Sequence, residues 1–238
     1  MKKRQLAEEI EQQYFDSGEI TIPEENEGTK DMAPLLPFII SGGTNTEYYY
    51  FKHIHKITKF KFQLKPEYFG HESNYTVVFS AKIRDIIEKN AEAKIFCVFD
   101  WDSIYKSKKE QIKYCDFEEQ FKNEIANGIV VLCPSMPCIE YWFLLHFCDD
   151  KNLYKTYPKV SSPLAPYIKP CFPNPNIALK KLLKKGEYLE SPIWVMNLCT
   201  DGKLDDAIKR AENNIKIAIE NGNLTDQSYT YVYKIFKQ

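Results

Sequence analysis

The sequence predicts an α/β fold, a mainly parallel sheet with helices on both faces, followed by a helical C-terminal part. Two near-continuous apolar runs, Ile95-Phe96-Cys97-Val98-Phe99 and Ile129-Val130-Val131-Leu132-Cys133, have the composition of strands buried on both faces. Each is followed by a stretch with helical spacing of its apolar residues. A third apolar run, Leu35-Leu36-Pro37-Phe38-Ile39-Ile40, stops at Ser41-Gly42-Gly43 and passes into an aromatic helical segment. Strands alternating with helices are the pattern of a parallel sheet rather than of a meander.

Taken in order, residues 1–32 are expected to be a peripheral N-terminal helix and linker. Leu6, Ile10 and Phe15 mark a short amphipathic stretch, and Pro23-Glu24-Glu25-Asn26-Glu27-Gly28 marks the linker. The α/β core is expected over 33–150. After the glycine turn, Thr44 or Thr46 is positioned to cap the first core helix. Phe60-Lys61-Phe62-Gln63-Leu64 alternates like a strand, and Val78, Ile83, Ile86 and Ile87 recur at helical spacing between Val77 and Lys89. The strand at Lys94–Phe99 precedes a charged helical stretch from Ser107 to Asn127, with Phe117, Phe121 and Ile125 every four residues. After the strand at Ile129–Cys133, an apolar helix runs from Cys138 to Phe147. Residues 151–176 hold six prolines and are expected to be a loop or lid with little regular structure. Ile177–Lys185 and Lys203–Glu220 carry helical patterns, so 177–238 is expected to be a helical part packed on the core.

Composition excludes several function classes. The chain has 238 residues, 44% hydrophobic and 27% charged, an ordinary globular balance. Its 32 Lys and Arg nearly cancel its 33 Asp and Glu, so no global field steers it onto nucleic acid or membrane, and a nucleic-acid partner needs a local basic patch. Seven cysteines are scattered without a C-x-x-C pair, which favours reduced thiols over a disulfide framework or a zinc cluster. The N-terminal residues lack the apolar stretch of a signal peptide, and no run is long enough to span a bilayer. A cytoplasmic location without membrane attachment is the expectation.

Asp100-Trp101-Asp102 carries the sharpest chemical signal. Residues two apart on a strand point to one side, and ligands of open α/β sheets bind at the carboxyl ends of strands. Two carboxylates placed there repel unless a cation neutralises them, and hard oxygen donors with room for water and phosphate suit Mg²⁺ or Mn²⁺. The competing reading is a pair of solvated aspartates, one of them beginning a helix. Glu47, just past the glycine turn, would complete a three-carboxylate cluster if the two strands are neighbours. Otherwise it is a first-turn glutamate favoured by the helix dipole. Glu140 and His146 are polar residues on an otherwise apolar helix, six apart and therefore on different faces. His53 and His55 diverge on a helix and form no joint metal site. Lys52, Lys56, Lys59 and Lys61 form one basic group, and Lys180, Lys181, Lys184 and Lys185 another. Such runs are usually solvated faces.

Three of these segments together resemble the RloB-like family. Phe38-Ile39-Ile40-Ser41-Gly42-Gly43-Thr44-Asn45-Thr46-Glu47 with Tyr50-Phe51 is similar to that family's opening motif, and Val98-Phe99-Asp100-Trp101-Asp102 to its second. Ser135-Met136-Pro137-Cys138-Ile139-Glu140-Tyr141-Trp142-Phe143-Leu144-Leu145-His146-Phe147 is similar to the third and most specific. The resemblance spans 35–150 and is weaker beyond. It implies a Toprim-like fold and a Mg²⁺-dependent nuclease acting on DNA or tRNA-like RNA in prokaryotic antiphage defence. It also implies an ATPase partner encoded nearby and a homodimer. Asp100, Asp102 and Glu47 would hold the metal and carry catalysis, with Thr46, Lys52, Glu140 and His146 lining the site. One departure is sharp: Gly42 stands where the family has a glutamate, the usual acid/base. A catalytically degenerate sensor or adaptor, binding nucleic acid or an ATPase, is therefore the alternative. A haloacid-dehalogenase-type phosphatase is a further one, with Asp100 as nucleophile and Asp102 as acid/base.

Overall fold

The computed structural model describes residues 35–43, 45–64 and 75–237. The helix and linker expected over 1–32, and Thr44, lie outside the described residues. Leu36–Gln238 forms one compact unit.

The sheet has five strands in the order β2-β1-β3-β4-β5: β1 (Phe38–Ser41), β2 (Gln63–Leu64), β3 (Ile95–Asp100), β4 (Val130–Met136) and β5 (Tyr229–Thr230). The first four are mutually parallel, and β5 runs antiparallel to β4. The chain leaves β1 for β2 on one side and then crosses back over β1 to reach β3 on the other. Right-handed crossovers in opposite directions place their helices on opposite faces. Helix α1 (Thr46–Ile57), between β1 and β2, therefore covers one face, and α2 (Tyr75–Lys89), between β2 and β3, the other. The strand order reverses between β1 and β3, and a crevice opens at such a switch point beyond the strand carboxyl ends.

Strand periodicity divides the core accordingly. Phe38 and Ile40 of β1 with Ile95, Cys97 and Phe99 of β3 pack against Phe79, Ile83 and Ile86 of α2. The same cluster takes Phe117 from α4 (Lys108–Gln120). Ile39, Phe96 and Val98 face the opposite cluster, with Tyr50, Phe51 and Ile54 of α1 and Tyr141 to Leu145 of α6 (Glu140–Leu145). Asp100 continues the parity of Phe96 and Val98, so β3 aims it toward the α1 and α6 face.

The charged stretch expected as one helix from Ser107 to Asn127 is broken at Phe121, into α4 and α5 (Lys122–Ala126). A short α3 (Asp102–Lys106) precedes them. Within the strand expected over 60–64, pairing begins only at Gln63, which lies opposite Phe38, the first residue of β1, so residues 60–62 precede the ladder.

Residues 151–176 depart further from expectation. Tyr157–Ile168 form helix α7 despite prolines at 163 and 166. Pro158 occupies the first turn, where no N–H partner is needed. Val160, Leu164 and Ile168, spaced by four, are each 0% exposed. Their burial in the cluster that holds α6 compensates the N–H groups that the internal prolines lack. The segment is a packed helix, not an irregular lid.

Beyond it lie α8 (Leu179–Leu182), much shorter than the helix expected over 177–185, then α9 (Gly186–Leu189) and α10 (Ile193–Cys199). Helix α11 (Lys203–Glu220) matches its expected span and buries Leu204, Ala207, Ala211, Ile215 and Ala218. No helix among the described residues is long and apolar enough to cross a membrane, and all seven cysteines are free.

Replacing Leu164 with Ala removes a side chain buried at the centre of α7. It should lower the urea-unfolding free energy by about 2–5 kcal/mol. A loss below about 1 kcal/mol would mean that the 157–168 segment does not contribute to the core.

Candidate functional site

Three carboxylates meet at the carboxyl ends of the central strands, on the α1 and α6 face. Asp100 is the last residue of β3, and its Oδ1 accepts the Ile139 N–H at 3.0 Å. That bond ties β3 to the turn after β4, where Pro137-Cys138-Ile139 leads into α6 and its first residue, Glu140. Glu140 is 3% exposed and Glu47, in the first turn of α1, is 6% exposed.

The glycine turn between β1 and α1 is shaped by Glu47. A Cβ on Gly43 would collide with the Glu47 carboxylate, so the glutamate folds back over bare backbone that only glycine provides. Gly42 is different. Its N–H donates to the Val98 carbonyl at 2.8 Å, and a Cβ there would meet Phe99 and Val98 atoms at ordinary distances of 3.6 and 3.7 Å.

Burial is the largest cause of every shift in the cluster. Glu47 is pushed up to about 7, first by burial and then by the charge of Glu140, with a backbone hydrogen bond and Lys184 pulling it down. Asp100 is raised well above the usual carboxylate range by burial, then by Glu47 and Glu140, against the Ile139 N–H and Lys184. Glu140 is raised by burial and, less, by Asp102, while the Cys138 thiol, its own backbone N–H and Lys184 oppose the rise. Lys184 thus acts on all three acids. It was one undifferentiated member of a lysine run in the sequence, and the structure alone singles it out.

Among the described residues, no three His, Cys, Asp or Glu side chains stand ready as a metal cage. The donor chemistry nevertheless suits a hard divalent cation. Mg²⁺ commonly takes one or two carboxylates and completes its shell with water and phosphate, and desolvated, mutually repelling carboxylates are what a cation would neutralise. Asp100 with Glu47 or Glu140 could hold such an ion.

The remaining expected site residues lie as follows. Asp102 does not share a strand side with Asp100, because β3 ends at Asp100 and Asp102 begins α3. Its N–H bonds the Pro137 carbonyl at 3.1 Å and its Oδ2 pairs with Lys106 at 2.7 Å. Thr46 neither caps α1 nor opens to the crevice; its hydroxyl donates to the Leu183 carbonyl. Lys52 lies over the rings of Tyr48 and Tyr49, at 5.7 and 5.5 Å. His146 is buried with Nδ1 2.6 Å from the Leu198 carbonyl. Burial, with Arg210 and Lys203 nearby, lowers its pKa to about 3, so it is a neutral core histidine between α6 and α10.

An α/β protein with a buried acidic cluster at the switch point of a parallel sheet is the class that fold and site define. The family model described as RloB-like protein matches residues 38–238, and the chain belongs to the RloB-like family. The match runs through the C-terminal helices and so includes Lys184. No curated protein and no solved structure matches the chain.

Glu47 gives a signed pH dependence. The unfolded chain releases this proton near the ordinary value of 4.5, whereas the folded chain keeps it to about 7. Stability therefore falls as pH rises from about 4.5 to 7 and levels off above. In thermal unfolding without divalent cations, Glu47→Gln should be more stable than the parent chain at pH 8, by about 1–3 kcal/mol. The difference should vanish near pH 4. Equal stability at pH 8 would show that the carboxylate carries no burial penalty.

Proposed function

We propose that the chain is a Mg²⁺- or Mn²⁺-dependent phosphodiesterase of the Toprim class, cutting DNA or tRNA-like RNA in prokaryotic antiphage defence. The supporting observation is the convergence of Glu47, Asp100 and Glu140, with Lys184 against them, at the carboxyl ends of β1 and β3. A bound cation would polarise the phosphate and lower the pKa of water, and Asp100 with a neighbouring glutamate would hold it. Asp100 is oriented for this by the Ile139 N–H. Glu47, with a pKa near neutrality, suits proton transfer, where matched pKa values are most effective. It stands in for the acid that the family has at position 42. The proposed setting is the cytoplasm, with nucleic acid as substrate, an ATPase as partner and a homodimer as assembly.

Gly42 favours one second reading, a degenerate sensor or adaptor that binds nucleic acid or the ATPase without cutting. The space beside Gly42 is ordinary, so packing does not require a glycine there.

On labelled duplex DNA and on tRNA in Mg²⁺, Asp100→Asn should abolish cleavage and weaken Mn²⁺ binding measured by calorimetry. Glu47→Gln should slow cleavage by about 10²–10⁴-fold. Unchanged turnover in Glu47→Gln would remove Glu47 from the mechanism, and binding without turnover in the parent chain would favour the adaptor. Gly42→Glu, which restores an acid in available space, should raise weak activity if the site is underpowered only by that loss.

A further inference from the structure

The C-terminal segment 183–189 is fastened to α1 along one helical face. Thr46, Tyr49 and His53, spaced by three and four, lie on that face. The Thr46 hydroxyl donates to the Leu183 carbonyl, and His53 Nε2 lies 2.8 Å from the Leu189 carbonyl. At Gly186 the backbone runs so close that a Cβ would come within 2.9 Å of the Tyr49 hydroxyl oxygen. Leu182, Leu183 and Leu189 are each 0% exposed, so the turn is anchored by apolar packing as well as by hydrogen bonds. The bond between Thr46 and Leu183 sets residue 184 beside residue 47. Lys184 follows the buried Leu182 and Leu183 and is itself exposed, as are Lys181 and Lys185. Lys185 pairs instead with Glu187 at 3.5 Å.

A phosphodiester approaching three carboxylates meets repulsion, and a metal ion neutralises only part of it. An ammonium carried on backbone anchored beside the cluster is what such a substrate requires. We propose that Lys184 is a phosphate-binding residue of this site, and that Thr46 is the positioning residue that holds it there through Leu183. The inference rests on the nuclease reading and adds to it that residues 183–189 are part of the active site.

Two affinities separate this role from a structural one, because they should move in opposite directions. Nucleic-acid binding is read by fluorescence anisotropy of labelled duplex DNA in Ca²⁺ at several salt concentrations, and metal binding by Mn²⁺ titration. Lys184→Ala should weaken duplex binding about tenfold and reduce the slope of log K against log salt by about 0.9. It should leave Mn²⁺ affinity equal or higher, since a competing positive charge is gone. Lys184→Arg should recover most of the binding, Thr46→Val should fall between, and Lys181→Ala should match the parent chain.

An unchanged salt slope in Lys184→Ala would overturn the proposal. So would a parallel loss of Mn²⁺ and duplex affinity that Arg does not rescue, since that marks a folding defect. A parent chain that binds Mn²⁺ but neither DNA nor RNA would overturn this proposal and the nuclease reading together. A parent chain that binds and cuts while Lys184→Ala behaves identically would overturn this one alone.

Discussion

Glu47, Asp100 and Glu140 are held together, against both their desolvation and their mutual repulsion, beyond the carboxyl ends of the paired strands β1 and β3. Burial is the leading cause of the raised pKa of each, so the cluster costs folding energy that a core of similar size would not. The surroundings are arranged to bear that cost. The Ile139 N–H fixes Asp100, the Cys138 thiol bonds Glu140, and Lys184 opposes the charge of all three. The apolar clusters on the two sheet faces pack the strands on which these acids depend. Chains keep such locally unfavourable groups where chemistry needs them.

The glycine pair at the end of β1 shows how the same residue type obeys two logics. At Gly43 the Glu47 carboxylate occupies the space of a Cβ. A side chain there would force the Glu47 carboxylate to move, so this glycine shapes the cluster although it carries no functional group. At Gly42 the neighbouring atoms leave ordinary room, and nothing in the structure explains the glycine. The acid near β1 in this chain is not a residue at the strand end but Glu47, in the first turn of α1. There the helix dipole favours the charged form, while burial holds Glu47 near neutrality.

What was legible in the sequence follows the range of the forces involved. Strands β3 and β4 announced themselves because a strand covered on both faces must be continuously apolar, and α11 because its buried stripe repeats every three or four residues. Helix α7 was hidden by Pro163 and Pro166. Local propensity argues against a helix there, and only burial of Val160, Leu164 and Ile168 against distant residues decides for one. Asp100 was legible from its strand. Asp102 was misplaced by two residues' worth of strand that does not exist. Glu140 was visible as a polar residue on an apolar helix, but its meeting with Asp100 depends on Ile139, 39 positions away. Lys184 could not be told from Lys180, Lys181 or Lys185, since the contact that distinguishes it joins residues 137 positions apart.

That long-range contact ties the C-terminal part to the first helix of the core. Helices appended to an α/β core usually serve stability or partners, and their removal leaves the core's site whole. Here α1 is shared. Tyr50, Phe51 and Ile54 bury one face in the sheet core, while Thr46, Tyr49 and His53 receive the 183–189 turn on another. Glu47 lies in the first turn of this helix, next to Thr46. The structure thus gives a physical reason for the family match to continue to residue 238 rather than stop after α6. A core ending near residue 150 would keep the three carboxylates, lose Lys184, and expose the face of α1 that shields them.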